Sequence, residues 1–153
     1  TAALRARLDW LDALKVGNTS VTPYTSVTYT RTKVDAYRET GGAFPANWNS
    51  RTENSTEVRL GLDAVHHLDD KLNLLGRLEG VHRFNDTGAT ASGDVAGLYG
   101  FSLPGQNYKR DWLRAAVGIE GKIGRGTGSL VLNGSTQNNA TKYWLAASYR
   151  IDF

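Results

Sequence analysis

The chain has 153 residues, about one domain, and its 18 Lys and Arg against 15 Asp and Glu give a formal charge of +3. This small, scattered excess does not indicate a nucleic-acid partner, and the absence of cysteine excludes disulfides and thiolate metal sites. No run of about 18 apolar residues occurs, which excludes a transmembrane helix but not a membrane β-barrel, in which only every second residue meets lipid.

Apolar and polar residues alternate in seven segments, and a period of two predicts strands. In chain order the segments are ALRARLDW, SVTPYTSVTYTRTKV, STEVRLGLDAVHHL, LNLLGRLEGVHRF, DWLRAAVGIEGKI, GTGSLVLNGSTQ and TKYWLAASYRIDF. Pro23 stands near the start of the second segment, where a strand tolerates a missing donor. Helices are the alternative for RARLDWLDALK and LDDKLNLLGRLEGV, but the period of two fits both better and agrees with the neighbouring segments.

The connections between these predicted strands differ in length. Short turns (KVGN, DDK and GRG) follow the first, third and fifth strands, whereas long loops at 35–54 and 85–110 follow the second and fourth. The last connection, through QNNA, is short and breaks this contrast. Long loops at one end of a sheet and tight turns at the other are typical of outer-membrane barrels.

Charge separates the two faces of the predicted strands. The apolar sets of the first and of the third to seventh strands contain no Asp, Glu, Lys or Arg, and their titratable residues are His66 and His82. The opposite sets carry eight positive and six negative residues: Arg5, Arg7, Asp9, Glu57, Arg59, Asp63, Arg77, Glu79, Arg83, Arg114, Glu120, Lys122, Arg150 and Asp152. The apolar side therefore packs either a soluble core or lipid.

Three features favour lipid. Aromatic residues stand where membrane interfaces would fall: Trp10, Tyr29, Phe84, Tyr143 and Phe153. The segments are also long for a soluble sheet, and the last of them keeps its alternation up to Phe153. We therefore predict a transmembrane antiparallel β-barrel. A soluble ligand-binding β-barrel with an apolar cavity is the alternative.

With the strands assigned, the chain resembles the C-terminal translocator domain of autotransporters, the type V secretion proteins of Gram-negative bacteria. The resemblance is carried by VTPYTSVTYTRTKVDAYRET, LNLLGRLEGVHRF, FSLPGQNYKRDWLRAAVGIEGKIG and YWLAASYRIDF. It implies an outer-membrane, up-and-down barrel of twelve strands that anchors and helps to export an N-terminal passenger. It also implies three partners: the lipid bilayer, the barrel assembly machinery, and a linker helix and passenger upstream of Thr1.

The last strand resembles the signal that the assembly machinery reads. Tyr149, Ile151 and Phe153 match its aromatic or apolar positions, whereas Ser148 replaces the usual glycine and Ala146 the usual polar residue. Seven is an odd number of strands, and an open sheet would leave unpaired edges in lipid. We therefore expect residues 1–153 to be the C-terminal part of an outer-membrane β-barrel translocator domain and to supply the last seven strands of the larger barrel. The lack of methionine agrees with a processed product, an excised piece or a fragment.

The candidate functional residues are the charges of the polar face. We predict that Arg59, Asp63, Arg77, Glu79, Arg114 and Glu120 line the lumen, mainly as structural cross-strand pairs and as the surface of a hydrated passage.

No catalytic, metal or cofactor site is predicted, and no enzymatic activity. Adjacent strand residues such as His66 and His67 point to opposite faces. His82 has no neighbouring serine, and a G-x-S-x-G elbow is absent. An independent outer-membrane barrel, acting as an adhesin, a porin or a hydrolase, is the alternative function.

Overall fold

The structure, a computed structural model, describes residues 1–42, 44–95, 97–137 and 140–151. These residues form strands β1 (Ala2–Asp9), β2 (Leu14–Val16), β3 (Thr19–Val34), β4 (Tyr37–Arg38), β5 (Ala46–Trp48), β6 (Arg51–His67), β7 (Leu72–Arg83), β8 (Ala91–Val95), β9 (Tyr99–Leu103), β10 (Asp111–Ile123), β11 (Gly126–Ser135) and β12 (Lys142–Ile151). Across these ranges no helix is long and apolar enough to cross a bilayer. The prediction of an all-β chain is confirmed.

The long strands form one sheet in the order β1-β3-β6-β7-β10-β11-β12, and β2 pairs with β3. The pairings of β10 with β7 and β11, and of β11 with β12, are antiparallel. Each of the seven alternating segments contains one of these strands, including the two for which a helix was the alternative. A sheet of sequential neighbours follows from that alternation, because short turns bring consecutive strands together.

The first hairpin differs from the sequence prediction. β1 ends at Asp9, the following residues leave the ladder, and Asp12 has a φ of 48°. The predicted KVGN turn instead joins β2 to β3, with Gly17 in the left-handed region (φ 56°). The backbone amide of Asp12 donates to Thr22 Oγ1 at 3.1 Å, which holds the irregular segment against β3.

The two long loops contain a second sheet that the alternation did not predict. Its order is β4-β5-β8-β9, within segments that the sequence indicated only as long loops. Tyr37, Trp48, Gly93 and Phe101 follow one another across the four strands. The Trp48 ring lies 4.8 Å from that of Phe101, edge to face. A Cβ at Gly93 would lie 2.8 Å from the Phe101 ring, so only glycine allows this contact.

The chain divides into two compact units. Unit 1 comprises the described parts of 1–5, 28–57 and 83–110 and contains the second sheet, where Ala46 is buried. Unit 2 comprises the described parts of 6–27, 58–82 and 111–151. Apart from glycines, the buried residues of unit 2 in the described ranges are Tyr24, Ser26, Glu79, Val81, Trp112 and Ser135. Gly126 and Gly128 on β11 are buried as well. Half of the non-glycine set is polar or charged.

Candidate functional site: the charged face of unit 2

One face of the unit 2 strands, here called the apolar face, exposes its side chains. Leu60, in the middle of β6, is 65% exposed, and Leu113, near the start of β10, is 58% exposed. The other exposed apolar residues of this face include Leu62, Leu74, Leu78, Val117, Ile119, Ile123, Leu130, Leu132, Leu145 and Ile151. So large a continuous apolar surface marks contact with a membrane or another apolar partner.

The opposite face, here called the charged face, is the buried one. Glu79 is 3% exposed, and Ser26 on β3 is 2% exposed. Soluble proteins show the reverse distribution, because Glu is almost never fully buried while Leu and Ile are. The arrangement is the one expected of a sheet whose apolar side meets lipid and whose polar side faces an interior.

Asp63 on β6 holds two arginines of the charged face. Its Oδ2 accepts from Arg77 Nη2 at 3.0 Å and from Arg7 Nη2 at 2.8 Å. Arg7 also donates to Asp9 on its own strand, with Nε 2.8 Å from Asp9 Oδ1. The Asp63 carboxylate thus connects β1, β6 and β7. It accepts several hydrogen bonds at once because each guanidinium presents its N–H donors in a planar fork.

Glu79 on β7 is the second centre of the charged face. Tyr24 donates its hydroxyl to Glu79 Oε2 at 2.6 Å, and Arg114 Nη1 donates to Oε1 at 3.2 Å. Arg114 is directly opposite Glu79 in the β7–β10 register, so the pair is a cross-strand contact. Because Glu79 is buried, both of its oxygens need such donors.

Tyr24 joins the two centres. The Arg7 guanidinium lies 3.8 Å from the centroid of the Tyr24 ring, and that of Arg77 lies at 5.8 Å. The ring covers Gly61 so closely that a Cβ there would lie 2.5 Å from Tyr24 Cε1. Gly61 therefore provides the space in which the ring lies flat and directs its hydroxyl at Glu79.

Four of the six predicted lumen residues are paired with one another. Asp63 with Arg77 and Glu79 with Arg114 form ion pairs. Arg59 receives a hydrogen bond from Thr25 at its main-chain oxygen, 3.2 Å away. Glu120 is opposite Asn73 and Ser129, and within the described ranges it makes no ion pair. Whether the six line a lumen stays a prediction.

Sequence reasoning missed Tyr24 and Arg7 as members of the ion-pair clusters. Arg7 belongs to the charged set of the first strand, but β3 lies between β1 and β6 in the sheet, and nothing local indicates that Arg7 reaches Asp63 across it. Tyr24 has the opposite parity to Val21 and Val27, which would have indicated an aromatic residue on the charged face. Gly61, on the same face, was the complementary signal.

A model of one protein family, described as the autotransporter beta-domain, matches residues 1–135. The chain belongs to the autotransporter beta-domain family. This family consists of translocators rather than enzymes, and it implies the outer membrane of a Gram-negative bacterium. The match covers every strand from β1 to β11 and ends before β12. No curated protein matches the chain.

Two members of the predicted assembly signal of this beta-domain are described on β12. Tyr149 donates its hydroxyl to the Ile123 carbonyl at 2.9 Å, and a Cβ at Gly126 would lie 2.8 Å from the Tyr149 ring. Ile151 is opposite Gly126 in the β11–β12 register. Phe153 lies outside the described residues. The signal function stays a prediction, but Tyr149 has a local role in the last hairpin.

The histidines of the beta-domain contact different partners. His66 Nδ1 is 2.8 Å from Thr19 Oγ1, and His67 Nδ1 is 2.7 Å from Asn73 Oδ1. His82 Nδ1 is 2.7 Å from Asp111 Oδ1. Asp111 is the first residue of β10 and belongs to the apolar face, an exception to the charge separation that the sequence count did not include. In the described ranges no three His, Cys, Asp or Glu residues could hold a metal ion.

Unit 1 has its own half-buried ion pair. Arg83 Nη2 is 2.6 Å from Glu57 Oε1, and the Arg83 guanidinium lies 4.8 Å from the centroid of the Tyr108 ring. A hydrogen bond to Glu53, together with burial, raises the pKa of the Tyr108 hydroxyl above its usual value. These contacts link β6 and β7 to the end of the second long loop.

Proposed function

We propose that the chain forms part of the wall of an outer-membrane pore that anchors a passenger and helps to export it. The observation that carries this proposal is the reversal of the two faces in unit 2. Exposed leucine and isoleucine on one face and a buried glutamate on the other are energetically reasonable only if lipid replaces water outside. Membership of the autotransporter beta-domain family supports the same conclusion.

We infer that the complete barrel has twelve strands, of which this chain supplies seven. In the hydrogen-bonded order β1 and β12 are the two ends, and every residue of β12 is exposed. A sheet edge in hydrocarbon leaves unsatisfied amides and carbonyls that cost several kcal/mol each. Further strands that pair with these edges would remove that cost.

The charges suit a passage for a polypeptide. Three of the six proposed lumen residues are cationic and three are anionic: Arg59, Arg77 and Arg114 against Asp63, Glu79 and Glu120. A balanced surface does not trap an extended chain of either sign, while it stays hydrated. The ion pairs around Asp63 and Glu79 would also keep neighbouring strands in register.

The test uses the complete protein in bacterial membranes, with a small epitope in its passenger. We expect the protein to need detergent for extraction, to migrate faster on a gel without boiling, and to expose the epitope to protease added outside intact cells. A chain that is monomeric in detergent-free buffer would contradict the membrane assignment. A membrane-inserted protein whose epitope stays protected would contradict export alone and favour an independent barrel.

A further inference from the structure

The apolar face of unit 2 carries an open groove at the end where the short turns lie. Its volume is about 470 Å³, and its lining includes Leu72, Ile119, Gly121, Ile123 and Gly128. Gly121 on β10 is directly opposite Gly128 on β11 and Leu72 on β7. A Cβ at Gly128 would lie 2.6 Å from Ile123 Cδ1, so the Ile123 side chain covers this glycine and the groove runs along Leu72, Ile119 and Ile123. We call it the headgroup groove.

Charges of both signs border this groove at the β6–β7 turn. Asp69, Asp70, Lys71 and Lys122 belong to its lining. Asp69 Oδ1 accepts from the backbone amides of Lys71 at 2.7 Å and of Leu72 at 2.9 Å, which fixes the turn. No ion pair of Asp70, Lys71 or Lys122 occurs within the described ranges. These side chains are therefore available to a ligand with both charges.

We propose that the headgroup groove binds one phospholipid with a zwitterionic, primary-amine headgroup of the ethanolamine type. Its ammonium group binds the carboxylate of Asp70, its phosphodiester binds Lys71, and an acyl chain lies along Leu72, Ile119 and Ile123. Apolar lining beside charges of both signs matches the two parts of such a lipid. The inference depends on the lipid contact of the apolar face and not on passenger export.

Two other headgroup classes fit less well. A quaternary choline group binds through aromatic cages, and no lining residue of the groove is aromatic. It also lacks the N–H donors that a carboxylate accepts. An anionic headgroup would suit Lys71 but would approach Asp69 and Asp70 with like charge. The primary amine combines N–H donors for the carboxylate of Asp70 with a phosphodiester for Lys71.

The first experiment needs no variant. The complete protein is reconstituted in nanodiscs that contain equal amounts of ethanolamine, choline and glycerol phospholipids, and retained lipids are identified by native mass spectrometry. We expect one retained lipid, with the ethanolamine headgroup enriched roughly tenfold, the factor that one hydrogen bond to a charged group provides. Retention should fall as the amine is methylated stepwise. No enrichment, enrichment of the anionic lipid, or indifference to methylation would overturn the proposal.

The second experiment locates the lipid. The double variant Asp70→Asn with Lys71→Gln should lower the enrichment to the bilayer composition while the heat-dependent gel mobility is unchanged. The matched control is Asp12→Asn with Lys15→Gln, because these residues lie between β1 and β2 and on β2, outside the groove lining, and pair with each other at 3.1 Å. Enrichment that survives the first variant, or is lost equally in the control, would contradict this site. Loss of passenger exposure with intact lipid retention would affect the export proposal only.

Discussion

The two faces of unit 2 are specified by the sequence in different ways. The apolar face needs only a residue type at every second position, since lipid tails do not distinguish leucine from isoleucine. The charged face needs particular partners: Asp63 with Arg7 and Arg77, and Glu79 with Tyr24 and Arg114. The apolar face should therefore tolerate apolar exchange but not charge, whereas the charged face should be sensitive to the loss of individual groups.

The largest effect is expected for a charge on the apolar face. Leu62→Arg should cost about 2–4 kcal/mol, because arginine near the bilayer midplane loses its hydration. Leu62→Ile is the matched control and should be nearly neutral. Reversible unfolding in urea from lipid vesicles measures both. An equal free energy of unfolding for Leu62→Arg and wild type would show that this face does not meet lipid.

The structure also changes the choice of a neutral variant on the charged face. From the sequence alone, Asp63→Asn is expected to change assembly little. Asp63 binds two guanidinium groups, so its neutralisation leaves Arg7 and Arg77 without their shared carboxylate. Glu120→Gln is the better control, since Glu120 has no ion pair in the described ranges.

The next effect tests the close contact between Tyr24 and Gly61. Gly61→Ala would place a methyl group 2.5 Å from Tyr24 Cε1, and overpacking of this kind costs about 1–3 kcal/mol. Gly76→Ala is the control, because the nearest neighbour of its new methyl group, Ala64 Cβ, would be at an ordinary 3.8 Å. Unfolding of both variants in vesicles gives the comparison. If the two variants are equally stable, the position of the Tyr24 ring does not require the absence of a side chain at Gly61.

An effect of similar size is expected at Glu79. Glu79→Ala leaves the buried Tyr24 hydroxyl and Arg114 without their acceptor, which should cost about 1–3 kcal/mol. Glu79→Gln keeps one acceptor oxygen and should cost less. The free energy of unfolding is compared with that of Glu120→Gln. Equal values for Glu79→Ala and Glu120→Gln would contradict the individual specification of the charged face.

Alternation predicted the long strands because the polarity of each residue in β7 or β10 indicates which face of the sheet it occupies. The second sheet could not be found in this way. β4 and β5 have two and three residues, too few for a period, and their pairing depends on Trp48 reaching Phe101 across Gly93. The sequence predicted cross-strand pairs between neighbouring strands without assigning partners, and the contact of Glu79 with Arg114 is of that kind. The contact of Arg7 with Asp63 needed the register of distant strands.

The smallest effect is expected at Tyr149, where the test distinguishes a role in the assembly signal from packing of the last hairpin. Tyr149→Phe removes only the hydroxyl that donates to the Ile123 carbonyl at 2.9 Å, which should cost about 0.5–1.5 kcal/mol. The ring that covers Gly126 is retained. If Tyr149 belongs to an assembly signal read by its aromatic ring, Tyr149→Phe should insert in cells like wild type, whereas Tyr149→Ser should insert poorly. Refolding of both variants in detergent gives their stability independently of the cell. A loss of insertion in proportion to the loss of stability would assign Tyr149 to packing of the last hairpin alone, because recognition acts on the chain before that hairpin is complete.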